Sequence, residues 1–89
     1  MRIDKFISHE SFKKHFKRMP KKVQSAFGER VGLLLKQPVH SILRNHPLKG
    51  RWQGCWSINV TGDIRAVYKV QADMAIFIDI GTHDQLYDS

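Results

Sequence analysis

The stretch Trp52-Gln53-Gly54-Cys55-Trp56-Ser57-Ile58-Asn59-Val60, with Thr61-Gly62-Asp63 and then Ile64-Arg65-Ala66-Val67-Tyr68-Lys69-Val70, decides the fold. Apolar and polar side chains alternate along both arms with a period of two, the pattern of strands that bury one face. Matching the faces sets the register. If Thr61-Gly62-Asp63 is a three-residue loop, Val60 faces Ile64, Ile58 faces Ala66 and Trp56 faces Tyr68, while Asn59 faces Arg65 and Cys55 faces Lys69. A two-residue loop would pair Val60 or Ile58 with Arg65, so the longer loop, with Gly62 near the left-handed region, is preferred. Arg65 then lies on the polar face of the sheet, opposite the core.

Downstream, Gln71-Ala72-Asp73 is a turn, and Met74 to Ile80 is apolar on both faces except at Asp79, as a central strand would be. Upstream, the period changes to that of a helix. Phe12, Phe16 and Met19 recur at helical spacing behind Ser8, which stands as N-cap, and Glu10, giving an amphipathic helix of about three turns. Met19-Pro20 marks a break, with proline suited to the first position of the next helix. That helix runs to about Lys36 with a stripe of Val23, Phe27, Val31 and Leu34. Gly28 and Gly32 sit inside it; the favoured reading is close approach of the first helix, the other an exposed, tolerated position. Met1 to Ile7 reads as an opening strand with a distant partner, and Gln37-Pro38 begins a loop over residues 39–51. Together these elements give an α+β fold in one domain, residues 1–89: an N-terminal helical hairpin packed on one face of a small antiparallel sheet, the other face partly open.

A chain of 89 residues has room for one core. Its 42% hydrophobic and 26% charged residues fit a folded globule rather than a disordered segment. No run is long enough for a membrane span and no signal-peptide pattern opens the chain, so the expected location is cytoplasmic. A single cysteine, Cys55, and five histidines without metal-ligand spacing lead to the expectation of no metal and no cofactor. Charge is polarised: residues 1–51 hold 13 basic and 3 acidic side chains, residues 52–89 hold 2 and 5. A basic half of this kind is the footprint of a nucleic-acid or ribosome binder, or a solvated face that keeps the chain soluble. Lys13, Lys14, Lys17, Arg18, Lys21 and Lys22 cluster at the tip of the hairpin without interleaved aromatics, which suits phosphate or ribosome contacts rather than base reading.

Cutting RNA without a metal requires that one group take the 2′-hydroxyl proton, another protonate the leaving oxygen, and a cation meet the charge on the phosphorane. His46, His83, Asp63 and Arg65 supply these residue types at three places a meander brings together, and Tyr87 stands near the end of the chain as an aromatic that can stack on a base. Each also has a structural reading: His83 capping the last strand, Asp63 shaping a turn, Arg65 solvated, Tyr87 packed on the core.

The run His46-Pro47-Leu48-Lys49-Gly50, then Trp52-Gln53-Gly54, then Gly62-Asp63-Ile64-Arg65-Ala66-Val67-Tyr68-Lys69, and finally Ile80-Gly81-Thr82-His83-Asp84-Gln85-Leu86-Tyr87 resembles the RelE/ParE toxin superfamily, in particular its YafQ-like branch of messenger-RNA interferases. The resemblance implies a RelE-like fold and the toxin of a type II toxin–antitoxin pair, a ribosome-dependent endoribonuclease held in check by a small cognate antitoxin. It would be monomeric alone and hetero-oligomeric with that partner. By position, His46, Asp63 and His83 fall where YafQ-like enzymes keep site residues, Arg65 where RelE-like and YoeB-like relatives keep a phosphate-binding arginine, and Tyr87 at a terminal aromatic. Asn59 departs from the pattern, standing where YafQ-like proteins tend to have a further histidine, so proton transfer rests on His83 and His46 or activity is lower. Lys49, Arg51, Asn59 and Lys69 complete the candidate RNA contacts, and ribosome and messenger RNA the implied partners. Two other readings stand beside this one: a ParE-type inhibitor of DNA gyrase, which needs no such convergence of His46, Arg65 and His83, and a catalytically weak RNA- or ribosome-binding relative.

Overall fold

The computed structural model describes residues 2–87; Met1, Asp88 and Ser89, at the ends of the expected domain, lie outside the described residues. The chain forms β1 (Lys5–Ser8), α1 (Glu10–Phe16), α2 (Lys21–Lys36), a 3-10 turn (Ser41–Leu43), β2 (His46–Pro47), a second 3-10 turn (Gly50–Trp52), β3 (Trp56–Thr61), β4 (Ile64–Gln71), β5 (Met74–Thr82) and α3 (His83–Tyr87). The sheet order is β1-β5-β4-β3-β2. From β2 to β5 it is the expected antiparallel meander, with β5 flanked on both sides. β1 adds a parallel pair at the outer edge, Phe6 beside Ala75 and Ile7 beside Ile76, so the sheet is mixed rather than wholly antiparallel. Parallel neighbours need a long crossover, and everything between β1 and β5 supplies it.

The β3–β4 connection corrects the expected three-residue loop. Gly62 and Asp63 alone make the turn, Gly62 at φ +52. Thr61, not Val60, stands opposite Ile64, because a bulge between Asn59 and Thr61 takes up one residue. The bulge keeps Ile58 and Val60 buried while Asn59 still faces Arg65, Ile58 faces Ala66 and Trp56 faces Tyr68. Residues 52–55, expected as strand, are instead tight turn: Gly54 has φ +90, and the Cys55 amide donates to the Trp52 carbonyl at 2.9 Å.

At the first helix, β1 holds Ser8 in register with Phe77, and the His9 amide continues to the Phe77 carbonyl at 2.8 Å. The expected Ser8 cap therefore passes to His9, whose ring accepts the Ser11 amide, and α1 is only seven residues long. Gln24 closes its end by donating Nε2 to the carbonyls of Phe16 and Met19, at 3.3 and 3.1 Å. Pro20 stands one place before α2, as its N-cap. The favoured role of Gly28 and Gly32 is also corrected. Both are exposed, and a Cβ at either would meet nothing within 4 Å. The helices meet through aromatic rings instead, Phe27 lying 5.0 Å from Phe12 and 5.3 Å from Phe16, centroid to centroid.

The main core lies between these helices and one sheet face, with Phe12, Phe27, Val31 and Leu34 against Ile58, Val60, Ala66, Tyr68 and Phe77. Phe27 meets Phe77 edge-on at 5.0 Å, a contact of about 0.5–1.5 kcal/mol beyond the area it buries. Tyr68, fully buried, donates its hydroxyl to Asn45 Oδ1 at 2.6 Å, and Asn45 Nδ2 donates to the Pro38 carbonyl at 3.0 Å. This chain of bonds ties the loop before β2 to the core. Among the described residues, no helix is long and apolar enough to cross a membrane.

Candidate active site

Because strand side chains alternate, the residues between those of the core point to the opposite sheet face. Asn59 and Arg65 are register partners there, and Arg65 is also the partner of Gly81 on β5. Arg65 Nη1 donates to Asp63 Oδ1 at 3.1 Å; the arginine side chain is 23% exposed and the aspartate 63%, so the carboxylate steadies a guanidinium held close to the sheet.

Two residues beyond Gly81 the strand gives way to α3, which was not expected from the sequence. Its start is a capping box: the Thr82 amide donates to Gln85 Oε1 at 2.9 Å, and the Gln85 amide donates to Thr82 Oγ1 at 3.2 Å. Gly81 permits the fold-back, since a Cβ there would lie 2.8 Å from Gln85 Oε1. His83 and Tyr87 fall one turn apart on the same helix, their rings edge-to-face at 4.7 Å. Tyr87 Oη bonds Ser57 Oγ at 3.1 Å, and Trp52 Nε1 donates to the Leu86 carbonyl at 2.7 Å, fastening α3 over the sheet. Val67, the register partner of Ser57 on β4, is fully buried although it is no part of the helix-side core.

Ser57 is also the register partner of His46 in β2, a short strand where the sequence suggested loop. His46 Nδ1 lies 2.6 Å from the carbonyl of Arg44. A carbonyl only accepts, so Nδ1 carries hydrogen and Nε2 is the nitrogen free to take or give a proton. Arg44 itself is left-handed, at φ 47, which turns its carbonyl toward the ring. His83 is about half exposed, with Nδ1 3.8 Å from Asp84 Oδ1.

Contacts and register thus link His46, Ser57, Tyr87 and His83 in one series and Asp63, Arg65 and Asn59 in another, joined at Gly81. The other expected residues are placed differently. Lys49 and Arg51 are exposed in and before the 3-10 turn after β2, the Arg51 guanidinium 5.3 Å from the Trp52 ring. Lys69 is four residues along β4 from Arg65, about 13 Å away at the usual strand rise, and lies near Cys55 instead. Burial raises the Cys55 thiol pKa and Lys69 pulls it the other way, so Cys55 is a poor source of thiolate. Lys13, Lys14, Lys17, Arg18, Lys21 and Lys22 are all exposed along α1 and the start of α2, and Arg18 lines a cleft with Asp79, Gln85 and Leu86 beside α3.

Several positioning residues were missed from the sequence. Thr82 and Gln85 carried a legible signal, since Thr82-His83-Asp84-Gln85 has the spacing of a capping box. Ser57, Trp52 and Arg44 carried none, their roles depending on distant partners. Arg30 donates Nε to the carbonyl of the bulged Val60 at 3.0 Å and so supports the register of Asn59 and Arg65 from α2.

Solved structures share this fold. YafQ from E. coli strain BL21(DE3) superposes with a TM-score of 0.79 at 23% identity, covering 98% of this chain and 99% of that one. The toxin of the E. coli DinJ-YafQ toxin-antitoxin complex gives 0.78 at 24% identity over the same shares. A chain of the RelBE2 toxin-antitoxin complex from Mycobacterium tuberculosis gives 0.74 at 15% identity, covering 91% of this chain and 99% of that one. At these identities the superpositions establish a RelE-like fold. Among curated proteins, none matches by sequence. The family model described as "Bacterial toxin of type II toxin-antitoxin system, YafQ" matches residues 4–88. With that match spanning nearly all of the sequence, the chain belongs to the YafQ family of bacterial toxins of type II toxin–antitoxin systems.

Proposed function

We propose that this toxin is a ribosome-dependent endoribonuclease that cuts messenger RNA by general acid–base chemistry. The observation that carries the reading is the chain of contacts that links His46 through its register partner Ser57 to Tyr87 and on to His83, with Arg65 in register with Gly81, two residues before His83. One of the pair His46 and His83 takes the proton of the 2′-hydroxyl, whose oxygen attacks the adjacent phosphorus. The bond from phosphorus to the 5′-oxygen breaks, and the other histidine delivers a proton to that leaving oxygen. Arg65, steadied by Asp63, meets the charge on the phosphorane, and the products are a 2′,3′-cyclic phosphate and a 5′-hydroxyl. Tyr87 offers a ring on which a base can stack, and Asn59 hydrogen-bonds the substrate where it cannot exchange a proton.

The exposed cations of α1 and of the start of α2 would bind ribosomal RNA on the helical side, leaving the sheet face toward the messenger. Lys49, Arg51 and Lys69 would extend the contact to RNA phosphates. A cognate antitoxin neutralises the toxin, and the net charge of +7 favours an acidic partner. The free toxin is monomeric and acts in the cytoplasm, where ribosomes are found.

The test supplies purified wild type and His83→Ala to translating ribosomes, maps new messenger-RNA ends, and measures DNA supercoiling by gyrase in parallel. New ends from the wild type that a folded His83→Ala no longer produces, with gyrase unaffected, support the nuclease. Inhibition of gyrase without new ends would assign the chain to the ParE-type activity instead.

A further inference from the structure

β2 covers β3 only at Trp56 and Ser57. Continuing that register would set Arg44 opposite Asn59, but the left-handed Arg44 turns the chain aside, and the edge of β3 from Asn59 to Thr61 is left open. Between this edge, the Ser41–Leu43 turn and α2 is a cleft of about 630 Å³ lined by Arg30, Ser41, Arg44, Asn59 and Thr61 among others, with no acidic side chain among its described lining residues. Arg30 is held there by its bond from Nε to the Val60 carbonyl, and among the described residues its Nη groups have no other hydrogen-bond partner. A guanidinium fixed at Nε with its fork open is prepared for a phosphate, and Arg44 brings a second.

We infer that this cleft is a second phosphate-binding subsite, which holds the RNA backbone flanking the scissile phosphate. It rests on the reading of the chain as an RNA-cutting toxin. Continuity with the site favours an RNA strand over an acidic peptide: Asn59 lines the cleft and is the register partner of Arg65, and the carbonyl of Arg44 orients His46. The cleft begins one strand away from Arg65, about 5 Å at the usual strand spacing, and extends beyond the edge of β3, within reach of a neighbouring phosphate. Arg44 therefore serves twice, its backbone directing the histidine and its side chain binding the strand.

The test uses the full chain and a short 2′-O-methyl oligoribonucleotide, which cannot be cleaved because its attacking oxygen is capped. Binding is followed by fluorescence anisotropy across a salt series for the wild type, Arg44→Gln, Arg44→Lys and Lys5→Gln. Lys5 lies on β1, at the opposite edge of the sheet. Arg44→Gln is expected to weaken binding about tenfold at low salt and to reduce the slope of log K against log salt by about 0.7, the value for one phosphate contact on a single strand. Arg44→Lys should recover part of the affinity, and Lys5→Gln should change little. If Arg44→Gln does not fold, Ser41→Glu, which sets a negative charge in the same cleft, should weaken binding at least as much. The subsite is overturned if neither Arg44→Gln nor Ser41→Glu alters affinity or slope, whether or not an acidic peptide then binds less well. It is equally overturned if Lys5→Gln loses as much as Arg44→Gln, which would make the effect one of bulk charge. Because the probe is not cut, weaker binding in a chain that cleaves no messenger RNA would uphold the cleft while removing the nuclease reading.

Discussion

Replacing Tyr68 by phenylalanine removes one oxygen from the centre of the molecule, and both its cost and its pH dependence can be worked out. The hydroxyl is fully buried and donates to Asn45 Oδ1 at 2.6 Å, and Asn45 in turn holds the Pro38 carbonyl. Losing a hydrogen bond of this kind costs about 1 kcal/mol at neutral pH. For a domain of 89 residues each kcal/mol lowers the melting temperature by about 4–8 °C. Burial raises the phenol from 10.0 to about 12. In the unfolded chain the phenol ionises at its ordinary value, so the unfolded state sheds the proton first. The stabilisation is complete below pH 10 and is lost as the pH rises toward 12. Phenylalanine has no proton to lose. Urea denaturation of both proteins should therefore show the wild type ahead at pH 7 and the gap closing above pH 10. An equal gap at both pH values would refute the burial argument, and no gap at pH 7 would refute the importance of the Asn45 bond.

Other substitutions test other parts of the account. Gly28→Ala, in the exposed interior of α2 where a Cβ meets nothing, should stabilise by about 0.5–1 kcal/mol in thermal denaturation; a loss would mean that the position is in contact after all. Gly81→Ala pushes against Gln85 Oε1 and breaks its bond to the Thr82 amide, costing about 1 kcal/mol, yet it should reduce cleavage by tenfold or more because His83 moves with the helix end. Equal, small losses of stability and rate would detach α3 from the chemistry. Tyr87→Phe keeps the ring against His83 but loses the Ser57 bond that fastens α3, so it should cleave a few-fold more slowly than wild type, whereas Tyr87→Ala should in addition weaken RNA engagement about tenfold, as one lost base stack would.

The fold was legible wherever a local period carried it. Alternation located β3 and β4, the doubly apolar run located β5, and the stripes of Phe12 and Val23 located the two helices. What escaped depended on partners remote in sequence. The bulge at Val60 needs Arg30 from α2 to satisfy its carbonyl, so counting residues in the hairpin alone led to the wrong loop length. The parallel placement of β1 has no local signal at all. Gly28 and Gly32 invite a reading as close contacts, but the aromatic rings of Phe12, Phe16 and Phe27 keep the helices apart. For the site, residue types and order drew attention to His46, Asp63, Arg65, His83 and Tyr87. Their supports, Ser57, Trp52 and the Arg44 carbonyl, were hidden because each acts across the sheet or through the backbone.

A nuclease of the proposed kind needs His46 and His83 to move protons during attack by a 2′-hydroxyl. The most direct measurement is single-turnover cleavage of messenger RNA on ribosomes, with chemical identification of the ends produced. The expected ends are a 2′,3′-cyclic phosphate, or the 3′-phosphate formed on its hydrolysis, facing a 5′-hydroxyl, with the rate lost in folded His46→Ala and His83→Ala. Ends bearing a 3′-hydroxyl and a 5′-phosphate, or an unchanged rate in both variants, would contradict it.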